Sequence, residues 1–442
     1  MHCGEVYGYI TITKCTVILL MLCIIHKRQK SQQNLWGGLM KPVIIVPGLY
    51  ASIPNPLAKN GYSLGFSERF YGPLIDGLTS MGYVMDKDLF VACYPWWENI
   101  RFISSKFLVP MIDTAKNACK CDDVILICHS MGGLVARDYI QDNGYRNDVD
   151  KLIMLGTPNA GSANAYYAWE GGDLAPTPDF DPLNIFYKAF VWMISRQHLL
   201  PHPKDVIRNH IKSIKELMPV REYGNYIFTY KNGEIDFIPI REMKEKNDYL
   251  AELNKRFDIL EERCRLYLFG GTGHYTNEYI QVSSKKDKCW EDGKPEGVVR
   301  NLEGDGTVLL KSLRVKSNAI EVKSLHTDLM GKALEQISKI LNINYKGHFE
   351  TEKIDNYLSI IVPKGVDLYE DVEDLKFSKV TIYDRFDWYL MFNVKKRDYR
   401  FRIRENLPVS DIFIDTMKNG VNVYKEYRRT TSEFVIKGED IN

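Results

Sequence analysis

The stretch Val124 to Tyr139, VILICHSMGGLVARDY, places a serine where covalent chemistry could occur. Val124 to Ile127 is a run of bulky apolar residues, the pattern of a strand buried on both faces. From Met131 the period changes. Leu134, Val135, Asp138 and Tyr139 recur at three-to-four spacing, and Ala136 and Arg137 are good helix formers. Cys128-His129-Ser130-Met131-Gly132 lies between the two. A sharp strand-to-helix turn would lift the Ser130 Oγ clear of the backbone. It would also hold it at a helix N-terminus, where free N–H groups and peptide dipoles favour developing negative charge. A serine so placed is a candidate acyl-forming nucleophile. Gly132 and Gly133 would let the helix pass close to the strand. Cys128 stands where such turns usually carry a first glycine. The plainer alternative is an ordinary strand-loop-helix turn with a surface serine.

A nucleophilic serine needs a base and a group to orient it. Gly304-Asp305-Gly306-Thr307-Val308 sets an acid in a tight glycine turn. His326 follows a predicted last strand, Ala319 to Val322, within Ser324-Leu325-His326-Thr327-Asp328. The order Ser130, Asp305, His326 suits a strand-turn-helix serine hydrolase. Ser130 would attack, His326 would carry the proton, and Asp305 would fix the imidazole tautomer. His274, after Gly271-Thr272-Gly273, is a second candidate base. His129 adjoins the serine and should point away from it. Asp328 is too close to His326 in sequence to reach its far nitrogen. The oxyanion is expected to be held by two backbone N–H groups, those of Met131 and of Leu49. Leu49 lies in the Pro47-Gly48-Leu49-Tyr50 loop after the first buried strand, Pro42 to Val46.

Further elements must bring these groups to one rim. Leu89 to Tyr94, Lys151 to Leu155 and Arg265 to Gly270 read as more buried strands. Phe70 to Met81 and Phe102 to Ala118 read as helices. Candidate site residues cluster at strand C-terminal ends, the ligand side of an open α/β sheet. Tyr94-Pro95-Trp96-Trp97 could line an acyl pocket or anchor the next helix. From Ala163 to about Ile240 aromatics are dense and prolines recur, which predicts an inserted helical cap suited to an apolar substrate. Substrate contacts are expected from Tyr50, Trp96, Phe186 and Phe190. Asp173, Asp179 and Asp181 fall close together, but their spacing does not suit calcium. No cofactor and no metal is expected.

The stretches PVIIVPGLYAS, LFVACYPW, CHSMGGLVARDYI, LIMLGTPNAGS, SIKELMP and GDGTV, with the late His326, resemble the lecithin:cholesterol acyltransferase-like branch of the α/β-hydrolases. The bacterial lipase-like members are most similar. The resemblance covers about Lys41 to Leu341. It implies an α/β-hydrolase fold, a mostly parallel sheet with helices on both faces. It also implies an acyl-serine mechanism on lipid-type carboxylic esters, with transfer to water or to an alcohol. Two features depart from the pattern: Cys128 in the turn, and the lack of the aspartate and arginine that usually follow Tyr94.

Composition bounds the rest. A formal net charge of +1 leaves no basic excess to neutralise nucleic-acid phosphates. Hydrophobic content of 45% and charged content of 26% are ordinary for a globular protein. The nine cysteines form no C-x-x-C pair and read as free thiols of a reducing compartment. Residues 1–39 form an N-terminal extension. Its apolar run Thr16 to Ile25 is short for a span of roughly 20 residues and precedes His26-Lys27-Arg28-Gln29-Lys30. The extension is expected to be either a membrane anchor, its basic flank on the cytoplasmic side, or a stretch ahead of a true start at Met40. A cytoplasmic location follows, with membrane-surface association through that segment. The hydrolase domain is expected over residues 40–346, with its cap at about 163–240. Residues 347–442 read as a C-terminal β-sandwich-like domain of short strands: Tyr357 to Val362, Trp388 to Val394, Tyr399 to Ile403, Val421 to Tyr424 and Glu433 to Ile436. Lys395 to Asp398 and Lys418-Asn419-Gly420 read as hairpin turns. The domain could bind a membrane surface, a glycan or another subunit. The expected function is a lipid-ester hydrolase or O-acyltransferase. Alternatives are a thioesterase or amidase of the same fold, or a non-catalytic protein that keeps the fold for binding.

Overall fold

The computed structural model describes residues 40–178, 181–283, 287, 289–351, 353–364, 368–370, 378–403, 412–418, 421–427 and 433–440. The apolar run Thr16 to Ile25, and Asp179 of the aspartate group, lie outside the described residues. Among the described residues no helix is long and apolar enough to cross a membrane. The chain divides into two units, Met1–Lys41 and Pro42–Asn442, and the elements of the fold belong to the second.

Six strands, all pairing in parallel, form the central sheet: β1 (Val43–Val46), β2 (Leu89–Val91), β3 (Val124–His129), β4 (Val149–Leu155), β7 (Arg265–Thr272) and β10 (Ile320–Lys323). Their order across the sheet is β10-β7-β4-β3-β1-β2. All are expected from the apolar runs of the sequence. β1 and β3 are neighbouring interior strands, and every residue of both is buried. This explains their unbroken apolar sequences, since a strand covered on both faces has no solvent side to alternate with. Helices α1 (Glu68–Ser80), α2 (Val109–Cys119) and α3 (Met131–Gln141) pack on the sheet. Only Asp138 of α3 escapes full burial.

The insertion after β4 is helical at first, as expected, and includes the long helix α4 (Leu183–His198). It then contributes two strands the sequence reading lacked, β5 (Ile227–Lys231) and β6 (Glu234–Ile238). With β8 (Thr276–Val282) and β9 (Pro295–Asn301) these form a second sheet in the order β9-β8-β5-β6. Asp305 therefore does not follow a strand of the central sheet. It returns from β9, at the end of this excursion.

The C-terminal region holds two sheets. β13 (Ser378–Ile382), β14 (Phe386–Phe392), β11 (Tyr357–Pro363), β16 (Ile412–Lys418) and β17 (Val421–Tyr427) lie side by side in that order. β12 (Leu368–Glu370), β15 (Tyr399–Ile403) and β18 (Glu433–Ile436) form the smaller sheet. The turn Lys395 to Asp398 is not a hairpin. It joins β14 to β15, which belong to different sheets. The second predicted turn has Asn419 and Gly420 outside the described residues, but β16 and β17 pair antiparallel with Lys418 opposite Val421.

Two-residue alternation explains how the larger sheet is used. Leu358, Ile360, Tyr389, Met391 and Ile414 form a core with Tyr399 and Ile436 of the smaller sheet. Their neighbours Tyr357, Ile361, Trp388, Leu390 and Phe413 face the other way and merge with the main hydrophobic core. On that second face Asp415, fully buried, accepts from Lys188 Nζ of α4 at 2.9 Å and from the Tyr357 hydroxyl at 2.8 Å. Removing Asp415 leaves the partly buried Lys188 ammonium without its counter-charge and the Tyr357 hydroxyl without its acceptor. Asp415→Ala is expected to lower unfolding stability by about 3–5 kcal/mol, read as a lower midpoint in urea or thermal unfolding. A midpoint unchanged within error would mean that the pair does not hold α4.

Candidate active site

Ser130 has φ 53° and ψ −126°, outside the regions open to most L-residues. It sits between the end of β3 and the first turn of α3. Its N–H donates to the Leu155 carbonyl of β4 at 2.8 Å, which ties the turn to the sheet. Such strain persists only where the surroundings over-determine it. Gly132 is one cause. A Cβ there would lie 2.2 Å from the Val46 oxygen and 2.6 Å from the Pro47 oxygen, so α3 leans directly on β1. Gly133 lies against Thr157 in the same way, at 2.0 Å from Oγ1. Cys128 is fully buried under the turn, and burial pushes its thiol far above the ordinary range, so it acts as a small apolar filler.

His326 and Asp305 meet on the same rim. His326 Nδ1 is 2.7 Å from Asp305 Oδ2. The other carboxylate oxygen accepts from the N–H groups of Thr307 and Val308, at 2.9 and 2.7 Å. A carboxylate can only accept, so Nδ1 carries the proton and the Nε2 lone pair is left free. Nε2 is buried and makes no hydrogen bond, to Ser130 or to any other described residue. Burial pulls the imidazole pKa down. The charge and hydrogen bond of Asp305, with the charge of Asp181, together carry it above the ordinary 6.5. Gly156, at φ 61°, makes room for the pair: a Cβ there would come within 3.0 Å of the imidazole and 3.1 Å of Asp305 Oδ2.

The loop after β1 closes over the serine. A Cβ on Gly48 would lie 2.8 Å from that of Ser130. Leu49 shares a cavity wall with Ser130 and His326, and Met131 opens α3, where its N–H has no intrahelical acceptor. A buried chain of hydrogen bonds ties these parts together. The Gly48 N–H donates to the Tyr71 hydroxyl at 2.8 Å, and that oxygen lies 2.9 Å from His129 Nδ1. His129 Nε2 lies 3.1 Å from the His326 carbonyl oxygen, which can only accept. Nε2 of His129 therefore carries the proton, and Nδ1 accepts from Tyr71. Burial, with His326 close by, drives the His129 pKa well down and keeps it neutral. Both ring nitrogens of His129 are thus engaged, by Tyr71 and by the His326 carbonyl, and His129 joins the serine-side loop to the backbone of His326. Nothing in the sequence marks Tyr71 for this role; it reads as one more apolar position of α1.

A cavity of about 1070 Å³, its open mouth included, has Ser130 and His326 in its wall. Tyr50, Phe70, Leu183, Phe186, Tyr187 and Met330 form its apolar side. Of the four expected substrate contacts, Tyr50 and Phe186 border it. Trp96 and Phe190 do not. Trp96 is fully buried and its Nε1 donates to the Ser52 carbonyl at 3.0 Å, bracing the loop after β1 from behind. Phe190 packs edge-on against Trp96, with ring centroids 4.8 Å apart. Tyr94 supports the same loop through its hydroxyl, which donates to the Pro47 carbonyl. The other candidates fall away from the cavity. His274 approaches Asp305 only through its backbone, and Asp328 accepts from Thr351 at 3.0 Å. Asp181 was singled out in the sequence only for its spacing to other aspartates. It borders the cavity and caps α4, accepting from the Leu183 N–H at 2.9 Å.

The profile of the lecithin:cholesterol acyltransferase family matches residues 63–287. The chain belongs to this family. The matched region carries β3, Ser130 and the cap, while Asp305 and His326 lie beyond it. Among solved structures, this acyltransferase-family chain is similar to the mature lipase BlEst2 of Bacillus licheniformis, at 14% identity over 69% of this chain and 93% of that one, with a TM-score of 0.37. It is also similar to the phospholipase PlaB of Legionella pneumophila, at 11% identity over 86% and 90% of the two chains, with a TM-score of 0.30. No curated protein matches it in sequence. Family membership makes the protein a lipid-acting hydrolase or acyltransferase.

Proposed function

We propose that the protein cleaves or transfers the acyl group of lipid-type carboxylic esters through an acyl-serine at Ser130. The observation that carries this reading is the strained Ser130 backbone at the head of α3, in one cavity wall with His326, whose Nδ1 is paired with Asp305. Ser130 Oγ attacks the ester carbonyl as His326 Nε2 takes its proton. Asp305 holds the tautomer that leaves Nε2 free and stabilises the imidazolium. The N–H groups of Leu49 and Met131 receive the oxyanion. The tetrahedral adduct then collapses, and the proton passes from His326 to the departing alkoxide, which leaves as an alcohol. Water or a second alcohol attacks the acyl-serine by the same steps in reverse. An acyl chain fits the apolar side of the cavity. Among the described lining residues there is no lysine or arginine to balance an anionic group.

A fluorophosphonate probe tests the nucleophile, because it phosphonylates only an activated serine. The expected result is one adduct on Ser130, absent from Ser130→Ala; labelling elsewhere, or none, would count against the reading. The base predicts a pH profile. His326 must be neutral to accept a proton, and its pKa lies above 6.5, so kcat/KM should fall as pH drops through a value above 6.5. In Asp305→Asn the carboxylate that raises this pKa is gone, so the acid limb should move to lower pH in whatever activity remains. A limb that stays in place would remove His326 from the role of base.

A further inference from the structure

We infer that the C-terminal sandwich sets the depth of the acyl cavity, with Trp388 as the positioning residue behind its wall. The inference rests on the ester-cleaving reading above and extends it to chain-length selection. The wall on the cap side is α4, which supplies Leu183, Phe186 and Tyr187 to the cavity. The opposite side of α4 is held by the larger C-terminal sheet. Trp192 packs against Phe386 and Phe413, with ring centroids 5.6 and 5.4 Å away. The Lys188–Asp415 pair fixes the same helix to β16.

Trp388 sits at the centre of this contact. Its indole is fully buried and its Nε1 donates to the Ser359 hydroxyl at 2.9 Å, so its orientation is fixed. Its ring meets Phe186 edge-on at 5.4 Å, and Phe190 at 6.0 Å. On its other side it meets Phe66 at 4.9 Å, in the turn that leads to the cavity residues Ser67 and Phe70. One side chain thus stands behind two parts of the cavity wall and touches none of the lumen. Truncating a buried aromatic leaves an apolar void that its surroundings only partly refill. Such voids stay dry and take up hydrocarbon. Phe186 can then withdraw toward the space vacated by the indole, and the cavity accepts more of an acyl chain.

The test compares kcat/KM for p-nitrophenyl laurate with that for p-nitrophenyl butyrate, in the full chain. In Trp388→Ala the laurate-to-butyrate ratio should rise at least about fourfold, the factor worth one more buried methylene. The gain should come through KM for laurate. Trp388→Leu, a smaller truncation, should raise the ratio in the same direction by less, and it carries the test should the alanine variant fail to fold. Phe186→Ala, which opens the wall itself, should shift the ratio the same way. A purely structural Trp388 would depress both esters alike and leave the ratio unchanged, and that result would overturn the inference. If Phe186→Ala shifts the ratio and neither Trp388 variant does, the cavity binds acyl chains but the sandwich does not set its depth. If the unaltered protein cleaves neither ester, the ester-cleaving reading fails and this inference with it.

Discussion

Replacing Ser130 with alanine is expected to lower turnover on p-nitrophenyl butyrate by about 10⁴-fold or more, with the fold intact. The loss is large because Ser130 carries the nucleophile itself, and without its Oγ no acyl-serine can form. His326→Ala should cost about as much, since an unactivated serine hydroxyl is a weak nucleophile. The double variant should be little worse than either single one, because nucleophile and base act as one unit. Near-ultraviolet circular dichroism and an unchanged melting midpoint would show that the losses are chemical. If Ser130→Ala kept substantial turnover in a preparation free of other esterases, the acyl-serine mechanism would have to be abandoned. If the two losses multiplied, Ser130 and His326 would be acting independently, and a different base should be sought.

The second large effect is expected from a single methyl group. In Gly132→Ala the new Cβ would come within 2.2 Å of the Val46 oxygen and 2.6 Å of the Pro47 oxygen. Both neighbours are backbone, one in an interior strand of the sheet and one in the loop that carries Leu49. Neither can give way as a flexible side chain would. Either α3 lifts off β1 or the loop shifts, and each movement separates the N–H groups of Leu49 and Met131. Losing one oxyanion donor costs about 10²–10³ in kcat, and a shift of both should do no less. Overpacking should also lower stability by about 1–3 kcal/mol. Gly72, in α1, is the control, since a Cβ there would meet nothing within 4 Å. Gly72→Ala should leave kcat within about twofold and raise stability by about 0.4–1 kcal/mol. Equal kcat in the two variants would mean that the close approach of α3 to β1 does not position the oxyanion donors.

Some departures from the sequence reading have one origin. Trp96 and Phe190 carry the same apolar, aromatic character as Tyr50 and Phe186, yet only the latter pair borders the cavity. An aromatic ring packs equally well in a core and in a cavity wall, so its type does not tell which it will do. The turn at Lys395 to Asp398 has good hairpin chemistry, but it joins two sheets. Local turn preference decides that the chain reverses and leaves open which strand it then pairs with.

What the sequence determined by itself was whatever depends on neighbours along the chain. Unbroken apolar runs set the interior strands β1 and β3, because a strand covered on both faces has no polar side. The change of period at Ser130, with the small residues after it, set the strand-turn-helix that holds the nucleophile candidate. The order Ser130, Asp305, His326 followed from the same local signals. The tertiary structure alone decided what depends on residues far apart. It brought Asp305 back to His326 from the second sheet, joined Gly48 to His326 through Tyr71 and His129, and set Trp388 behind the wall of α4. Hydrophobic periodicity records that a face is buried; which other face covers it is settled only when the whole chain packs.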